Sequence, residues 1–208
     1  MITQLIERYP VLAHCSGAIL KAYEILATSF SNGGTLLIAG NGGSAADAEH
    51  ICAELMKGFR KMRPLSGEEK KALLETDPAM GEILSAKLQG ALPAIALSAD
   101  SPLASAYAND CDPLLAYAQQ VNGYGRSGDV FLAITTSGES RNILFAAVTA
   151  KAKGLKVIGL TGGTDSSLSR LADVCIKVPQ SETYLVQELH LPVYHCLCNM
   201  LEEKFFAE

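Results

Sequence analysis

The chain has 208 residues, 49% hydrophobic and 19% charged, with a net charge of -5 and a pI near 5.4. That is enough for one α/β domain with a substantial core, and the acidic balance excludes the basic footprint of a direct nucleic-acid binder. No apolar run approaches the length of a bilayer span, so no membrane partner is expected.

From the N-terminus, MITQLIERYP lacks the basic start and apolar core of a signal peptide. Residues 2–31 read as helix, with a break or fresh start near Pro10. Leu12, Cys15, Ile19, Tyr23, Leu26 and Phe30 recur at three- and four-residue steps and give one apolar face. Asn32-Gly33-Gly34 stops it. TLLIA (35–39) is a short buried strand. It runs into a glycine-rich turn and a helix over 44–58, with Ser44 as N-cap candidate and Gly58 as stop. Residues 59–92 are the most charged part of the chain. Ser66 with Glu69 is a capping-box signature, and one or two helices are expected there, interrupted near Asp77-Pro78. This insertion is either a solvated helical excursion or a lid or interface element.

PAIALS (93–98) is the second strand, followed by short helices around 102–108 and 112–121. GDVFLAIT (128–135) is the third strand, and the helix over 137–154 ends in lysines and glycine as a helix C-terminus prefers. LKVIGLTG (155–162) and VCIKVP (174–179) are the fourth and fifth strands, around a short helix at 166–172. A final helix covers about 183–205. Apolar strands alternating with helices argue for a single domain with a parallel sheet and helices on both faces. The six cysteines (Cys15, Cys52, Cys111, Cys175, Cys196 and Cys198) are scattered, without the spacing of a zinc or redox motif. They read as reduced structural thiols, and a cytoplasmic location is expected.

One internal echo carries chemistry. LLIAGNGGS (36–44) aligns with LAITTSGES (132–140): an apolar strand, a turn of small and hydroxyl residues, then a serine opening a helix. Thr135, Thr136, Ser137 and Ser140 surround Gly138. Hydroxyls with helix N-terminal amides hold an anion without lysine or arginine. The alternative is a capped turn that holds nothing. GNGGS is not GxGxxG, because Ala45 stands where the third glycine belongs, so nicotinamide dinucleotide binding is not expected. The glycines instead let backbone approach a small ligand closely.

His50 and Glu54 are one helical turn apart and point the same way. Near the chain end, QELHLPVYH supplies Gln187, Glu188, His190 and His195. Imidazole, carboxylate and amide donors suit zinc or a similar ion. Gln187 and His195 lie about 12 Å apart along a regular helix, so spacing alone favours satisfied, partly buried histidines over a metal site.

Taken in order, GNGGSAADAEHICAELMKGF, LPAIALSADSPLASAYAND, ITTSGESRNI and VQELHLPVYHCLC closely resemble the sugar isomerase (SIS) domain family, in its phosphoheptose isomerase branch. The resemblance covers nearly the whole chain except 59–92. It implies a three-layer α/β/α sandwich with a five-stranded parallel, flavodoxin-like sheet, and a homotetramer with active sites at subunit interfaces. It implies interconversion of sedoheptulose 7-phosphate and an aldose heptose 7-phosphate through an enediol(ate). Carried onto this chain, phosphate-binding hydroxyls fall on Ser44, Thr135, Ser137 and Ser140, with Thr136 and Gly42 in the same turns. Asn41, Asp100 and Gln187 match substrate-contacting positions. His50, Glu54, Gln187 and His195 match a metal site for zinc or another divalent ion, and Glu54 and His195 the acid/base pair. Thr135 replaces a residue that is often serine in the family, and Tyr184 stands where some members carry aspartate. A non-catalytic branch, which binds the bacterial replication initiator as a tetrameric scaffold, also resembles this chain. It loses the terminal histidine and the hydroxyl-rich turn, both kept here as His195, Ser137 and Ser140. A sugar-phosphate sensor is the remaining alternative.

Overall fold

The computed structural model describes residues 1–206. Helix α1 (Ile2–Arg8) is followed by a 3-10 turn over Pro10–Cys15 and then α2 (Ser16–Ser31). The break therefore lies at Pro10, which opens the 3-10 turn, where its missing N–H costs least. Leu12, Cys15, Ile19, Leu26 and Phe30 are buried, with Tyr23 packed beside them.

Five strands form one parallel sheet: β1 (Leu36–Ala39), β2 (Ala94–Ala96), β3 (Val130–Ile134), β4 (Lys156–Thr161) and β5 (Val174–Lys177). Their order is β2-β1-β3-β4-β5. Every residue of β1 and β3 is buried, as central strands covered on both faces must be. Alternate side chains enter two cores. Leu36, Ile38, Leu132 and Ile134 meet α2, α3 (Gly43–Met56) and α10 (Thr183–Phe206) on one face. Leu37, Ala39, Phe131 and Ala133 meet α7 (Ala116–Tyr124) and α8 (Arg141–Ala152) on the other. Each fully buried Leu, Ile or Phe stabilises the fold by roughly 1.5–3 kcal/mol.

Sequence growth reverses between β1 and β3. Their carboxyl ends form the switch point at which ligands sit in open α/β sheets, and both glycine- and hydroxyl-rich turns leave the sheet there. Three boundaries near the two turns differ from expectation. Helix α3 starts at Gly43, one residue before Ser44; Gly42, at φ +55°, is its N-cap, in a backbone region glycine enters freely. Ser44 is thus a buried residue of the first turn and not the cap. The helix ends at Met56 and its C-cap is the extended Lys57, so Gly58 is not the stop. Helix α8 starts at Arg141 rather than 137, because Gly138 at φ +69° keeps the preceding residues in a turn.

The charged segment forms α4 (Gly67–Thr76) and α5 (Pro78–Lys87). The Ser66–Glu69 capping box is complete, and Asp77 caps α5 through the Met80 amide at 2.9 Å. Below this hairpin sits a buried ion pair. Arg63 is 0% and Glu202 2% exposed at the side chain, 2.9 Å apart. Arg63 also donates to the carbonyls of Leu55 (2.7 Å) and Glu54 (3.0 Å) near the C-terminal end of α3. Helix α6 (Ser101–Asp110) follows β2, and α9 (Ser167–Leu171) lies between β4 and β5. All six cysteines are free. No helix of the described residues is long and apolar enough to cross a membrane.

Candidate active site

The two turns stand side by side because β1 and β3 pair directly. The sheet pairs Leu36 with Val130 and Ala39 with Ala133, two residues out of step with the alignment of 36–44 on 132–140. The second turn therefore spends Thr135–Ser140 before its helix, where the first spends only Gly40–Gly42. A reciprocal amide pair locks them together: Asn41 Nδ2 donates to Asn142 Oδ1 at 3.0 Å and Asn142 Nδ2 to Asn41 Oδ1 at 2.8 Å. The Tyr117 hydroxyl donates to the Gly40 carbonyl at 2.8 Å from the opposite face.

In the second turn the Thr135 and Ser140 hydroxyls meet at 2.9 Å. The Ser137 hydroxyl accepts from the Glu139 amide at 3.2 Å. Thr136 is half-buried, and its carbonyl accepts from Gly162. Ser140 is the N-cap of α8 but spends no side-chain bond on capping. Its hydroxyl stays within the turn, beside the partial positive charge of a helix N-terminus. A carboxylate here would repel a phosphate. Glu139 is drawn away instead, accepting from the Ser167 amide at 2.7 Å, which holds its pKa below the ordinary range. Asp100 caps α6 through the Leu103 amide at 3.1 Å, just beyond the carboxyl end of β2.

The histidines and the carboxylate come from two helices on one face of the sheet. Gln187 lies against Gly43: a Cβ at Gly43 would fall 2.6 Å from Gln187 Nε2. The rings of His50 and His195 are 5.1 Å apart. The nearly equal spacing of these two contacts along each chain means that α3 and α10 run side by side in the same direction. His50 Nε2 lies 3.2 Å from Glu54 Oε1, and Lys57 Nζ holds the other carboxylate oxygen at 3.1 Å. Phe59 and Tyr194 close around His195, at 5.3 and 5.0 Å between ring centres. Burial lowers the His195 pKa and the nearby His50 adds to this, while Glu54 opposes it. His195 also faces a cleft of about 550 Å³ whose rim includes Arg8, Tyr9 and Arg60.

The structure thus brings His50, Glu54 and His195 together, and sets Gln187 with the first turn, about 12 Å back along α10. For a divalent ion, the donor types fit, and His195 Nε2 is buried without a hydrogen-bond partner among the described residues. Among the described residues, however, no group of three or more His, Cys, Asp and Glu is already arranged around a common point. Sequence reading missed Asn142, Tyr117, Glu139, Asp47 and Tyr194. Helical spacing does place Asp47 one turn before His50, on the same face, but nothing in the sequence brings Tyr194 to that face.

Comparison with known proteins identifies the family to which this fold belongs. Residues 2–87 and 115–196 each match a SIS domain family. A phosphoheptose isomerase of Leptospira biflexa is 39% identical over 189 residues, covering 91% of this chain and 85% of that protein. The solved structure of a phosphoheptose isomerase from Francisella tularensis is 32% identical, with a TM-score of 0.74 over 90% of this chain and 86% of that one. That from Neisseria gonorrhoeae is 29% identical, with a TM-score of 0.73 over 97% and 91%. With two SIS matches along the chain and relatives alike over nearly their full lengths, the chain belongs to the phosphoheptose isomerase family of SIS-domain proteins.

Proposed function

We propose that this chain is a phosphosugar isomerase that interconverts sedoheptulose 7-phosphate and an aldose heptose 7-phosphate. The observation that carries the reading is the meeting of Glu54 and His195 around His50, brought from two helices far apart in sequence. The hydroxyls of Thr135, Ser137 and Ser140, with Ser44 in the first turn of α3, grip the phosphate between two helix N-termini. Asn41, Asp100 and Gln187 face the sugar. His50 and Glu54 lie about 9–15 Å beyond Ser44 by helical rise, a span that suits an extended sugar phosphate with its carbonyl at the far end. One member of the Glu54–His195 pair removes the proton from the carbon beside the carbonyl. The other exchanges the hydroxyl proton, and the enediol(ate) is reprotonated on the neighbouring carbon. The lowered His195 pKa keeps its imidazole neutral and able to accept a proton near neutral pH.

Zinc or another divalent ion would be held by His50, Glu54 and His195, with Gln187 set back at the first turn, and would polarise the carbonyl oxygen as a Lewis acid; a residue ligating it does not serve as acid or base in the same state. A homotetramer with sites completed at subunit interfaces, and a cytoplasmic location, belong to the same proposal. Exposed Met80 and Ile83 on the helical hairpin are apolar surface that assembly would cover, and sedimentation measures the stoichiometry. The activity itself is tested in deuterated water with sedoheptulose 7-phosphate. Deuterium should enter at the carbon beside the carbonyl, and Glu54→Gln should slow this by about 10²–10⁴-fold. No exchange by the wild-type protein with zinc supplied would sink the isomerase reading.

A further inference from the structure

The reciprocal amide pair between the two turns has a defined sense. An asparagine side chain carries an acceptor oxygen on one side and a donor NH2 on the other, and a half-turn about its last bond exchanges them. Turning one member of the Asn41–Asn142 pair alone would set NH2 against NH2 and oxygen against oxygen. Turning both together would restore two good bonds, so the pair by itself permits two states.

The first turn of α8 removes one of them. The Ile143 amide, which at this place in a helix has no partner within the helix, donates to Asn142 Oδ1 at 3.0 Å. In the doubly turned state Asn142 would point its NH2 at this N–H, donor against donor. Asn142 Nδ2 must therefore donate to Asn41 Oδ1, and Asn41 Nδ2 to Asn142 Oδ1. The consequence falls on Asn41, which is exposed where Asn142 is half-buried. Its amide is left with one N–H and one lone pair to offer a ligand, both at fixed places. The backbone beside it is held as well, because the Gly40 carbonyl accepts from the Tyr117 hydroxyl.

We propose that Asn142 is a positioning residue that fixes which way round the Asn41 amide is held, and so where Asn41 offers a donor and where an acceptor to the hydroxyls of a bound sugar phosphate. This rests on the site map proposed above, which sets Asn41 at the sugar. It deepens that map by assigning the sense of the contact to a residue that acts through Asn41. A freely turning amide accommodates a hydroxyl of either configuration and loses its freedom on binding. A fixed amide leaves the wrong epimer with an unpaired polar group, which is how a hydrogen-bonding site selects.

The test uses the full-length protein labelled with ¹⁵N-asparagine, with the Asn41 side-chain signals assigned through Asn41→Ala. In the wild type without ligand, the Asn41 NH2 should be protected from exchange with water, and Asn142→Leu should remove that protection. By calorimetry, Asn142→Leu should weaken sedoheptulose 7-phosphate binding by about 5–50-fold, the range for losing one or two hydrogen bonds. Inorganic phosphate, held by the hydroxyl turns, should bind as before. KM should rise by the same factor with kcat little changed, as loss of uniform binding requires. In the Asn41→Ala background Asn142→Leu should have no further effect, because its action runs through Asn41. Asn142→Asp, which keeps an acceptor for the Ile143 amide and so the first turn of α8, should lose sugar-phosphate affinity with the same dependence on Asn41. An unprotected Asn41 amide in the wild type, an Asn142→Leu effect that persists without Asn41, or a parallel loss of inorganic phosphate binding would overturn the proposal. Wild-type protein that shows this binding pattern but no deuterium exchange would refute the isomerase reading alone.

Discussion

Glu202 and Glu203 are neighbours on one helix, yet their removal should have very different effects. Glu202 accepts from the Phe59 amide (2.8 Å), the Arg60 amide (2.9 Å) and Arg63 Nε (2.9 Å), in a site from which water is excluded. Glu203 pairs with Lys61 at 2.7 Å, but the two side chains are 51% and 36% exposed. In Glu202→Gln the amide oxygen can still face Phe59 and Arg63. Its NH2 must then face the Arg60 amide, donor against donor, and Arg63 is left a buried charge without its counter-ion. Breaking one half of a buried pair costs about 3–5 kcal/mol, whereas an exposed pair contributes about 0–1 kcal/mol. With a urea slope on the order of 2–3 kcal/mol/M, Glu202→Gln should lower the unfolding midpoint by roughly 1–2.5 M, and Glu203→Gln should barely move it.

The pH dependence adds a check of sign. Burial works to raise the Glu202 pKa, but the Phe59 and Arg60 amides and Arg63 outweigh it and hold it below the ordinary 4.5. A carboxyl with a depressed folded pKa stabilises above its unfolded value and loses that contribution as pH falls through the folded one. The gap between wild type and Glu202→Gln should therefore close as pH drops below about 4.5. Equal midpoints for the two variants, or a gap that persists into acid, would refute the assignment of this pair as the clasp between α10, the 57–63 loop and the end of α3. Because Arg63 holds the Glu54 carbonyl, the same clasp steadies the helix that carries Glu54, one member of the proposed acid/base pair.

Two further outcomes follow from single side chains. Thr135→Val keeps the shape of a buried residue but removes the hydroxyl that meets Ser140. It should weaken sugar-phosphate binding by about 1.5–3 kcal/mol, the range for a hydrogen bond to a charged group, with the fold retained. An unchanged KM and unchanged competition by inorganic phosphate would show that this turn does not hold the phosphate. His190 is fully buried, and among the described residues neither ring nitrogen has a hydrogen-bond partner. Burial pushes its pKa down from 6.5 to about 4, with the nearby Thr161 backbone opposing the shift slightly. As pH falls below 6.5 the unfolded chain takes up this proton first, so His190 costs stability progressively down to about pH 4, by up to about 3 kcal/mol. His190→Leu should flatten that limb in urea melts between pH 7 and 4.5, and parallel curves for the two proteins would count against it.

The local pattern of residues determined much of this protein. Continuous apolar runs such as LLIA and VFLAI specify strands covered on both faces, and alternating them with amphipathic helices leaves a parallel sheet as the way to bury both sides. The capping box at Ser66, the break at Pro10 and the division at Asp77-Pro78 were legible because they are interactions within a few residues. The hydroxyl turn and the one-turn spacing of His50 and Glu54 were legible for the same reason. The SIS resemblance, not spacing, joined them to His195. Tertiary structure alone decided what depends on distant segments meeting. Pairing of β1 with β3 set the two turns two residues out of the alignment their sequences suggest, and joined Asn41 to Asn142. The parallel course of α3 and α10 set Gln187 against Gly43 of the first turn and brought Tyr194 and Asp47 behind His50. Helical spacing fixes which residues share a face of one helix, but which face meets which partner is settled only when two helices pack on a common sheet.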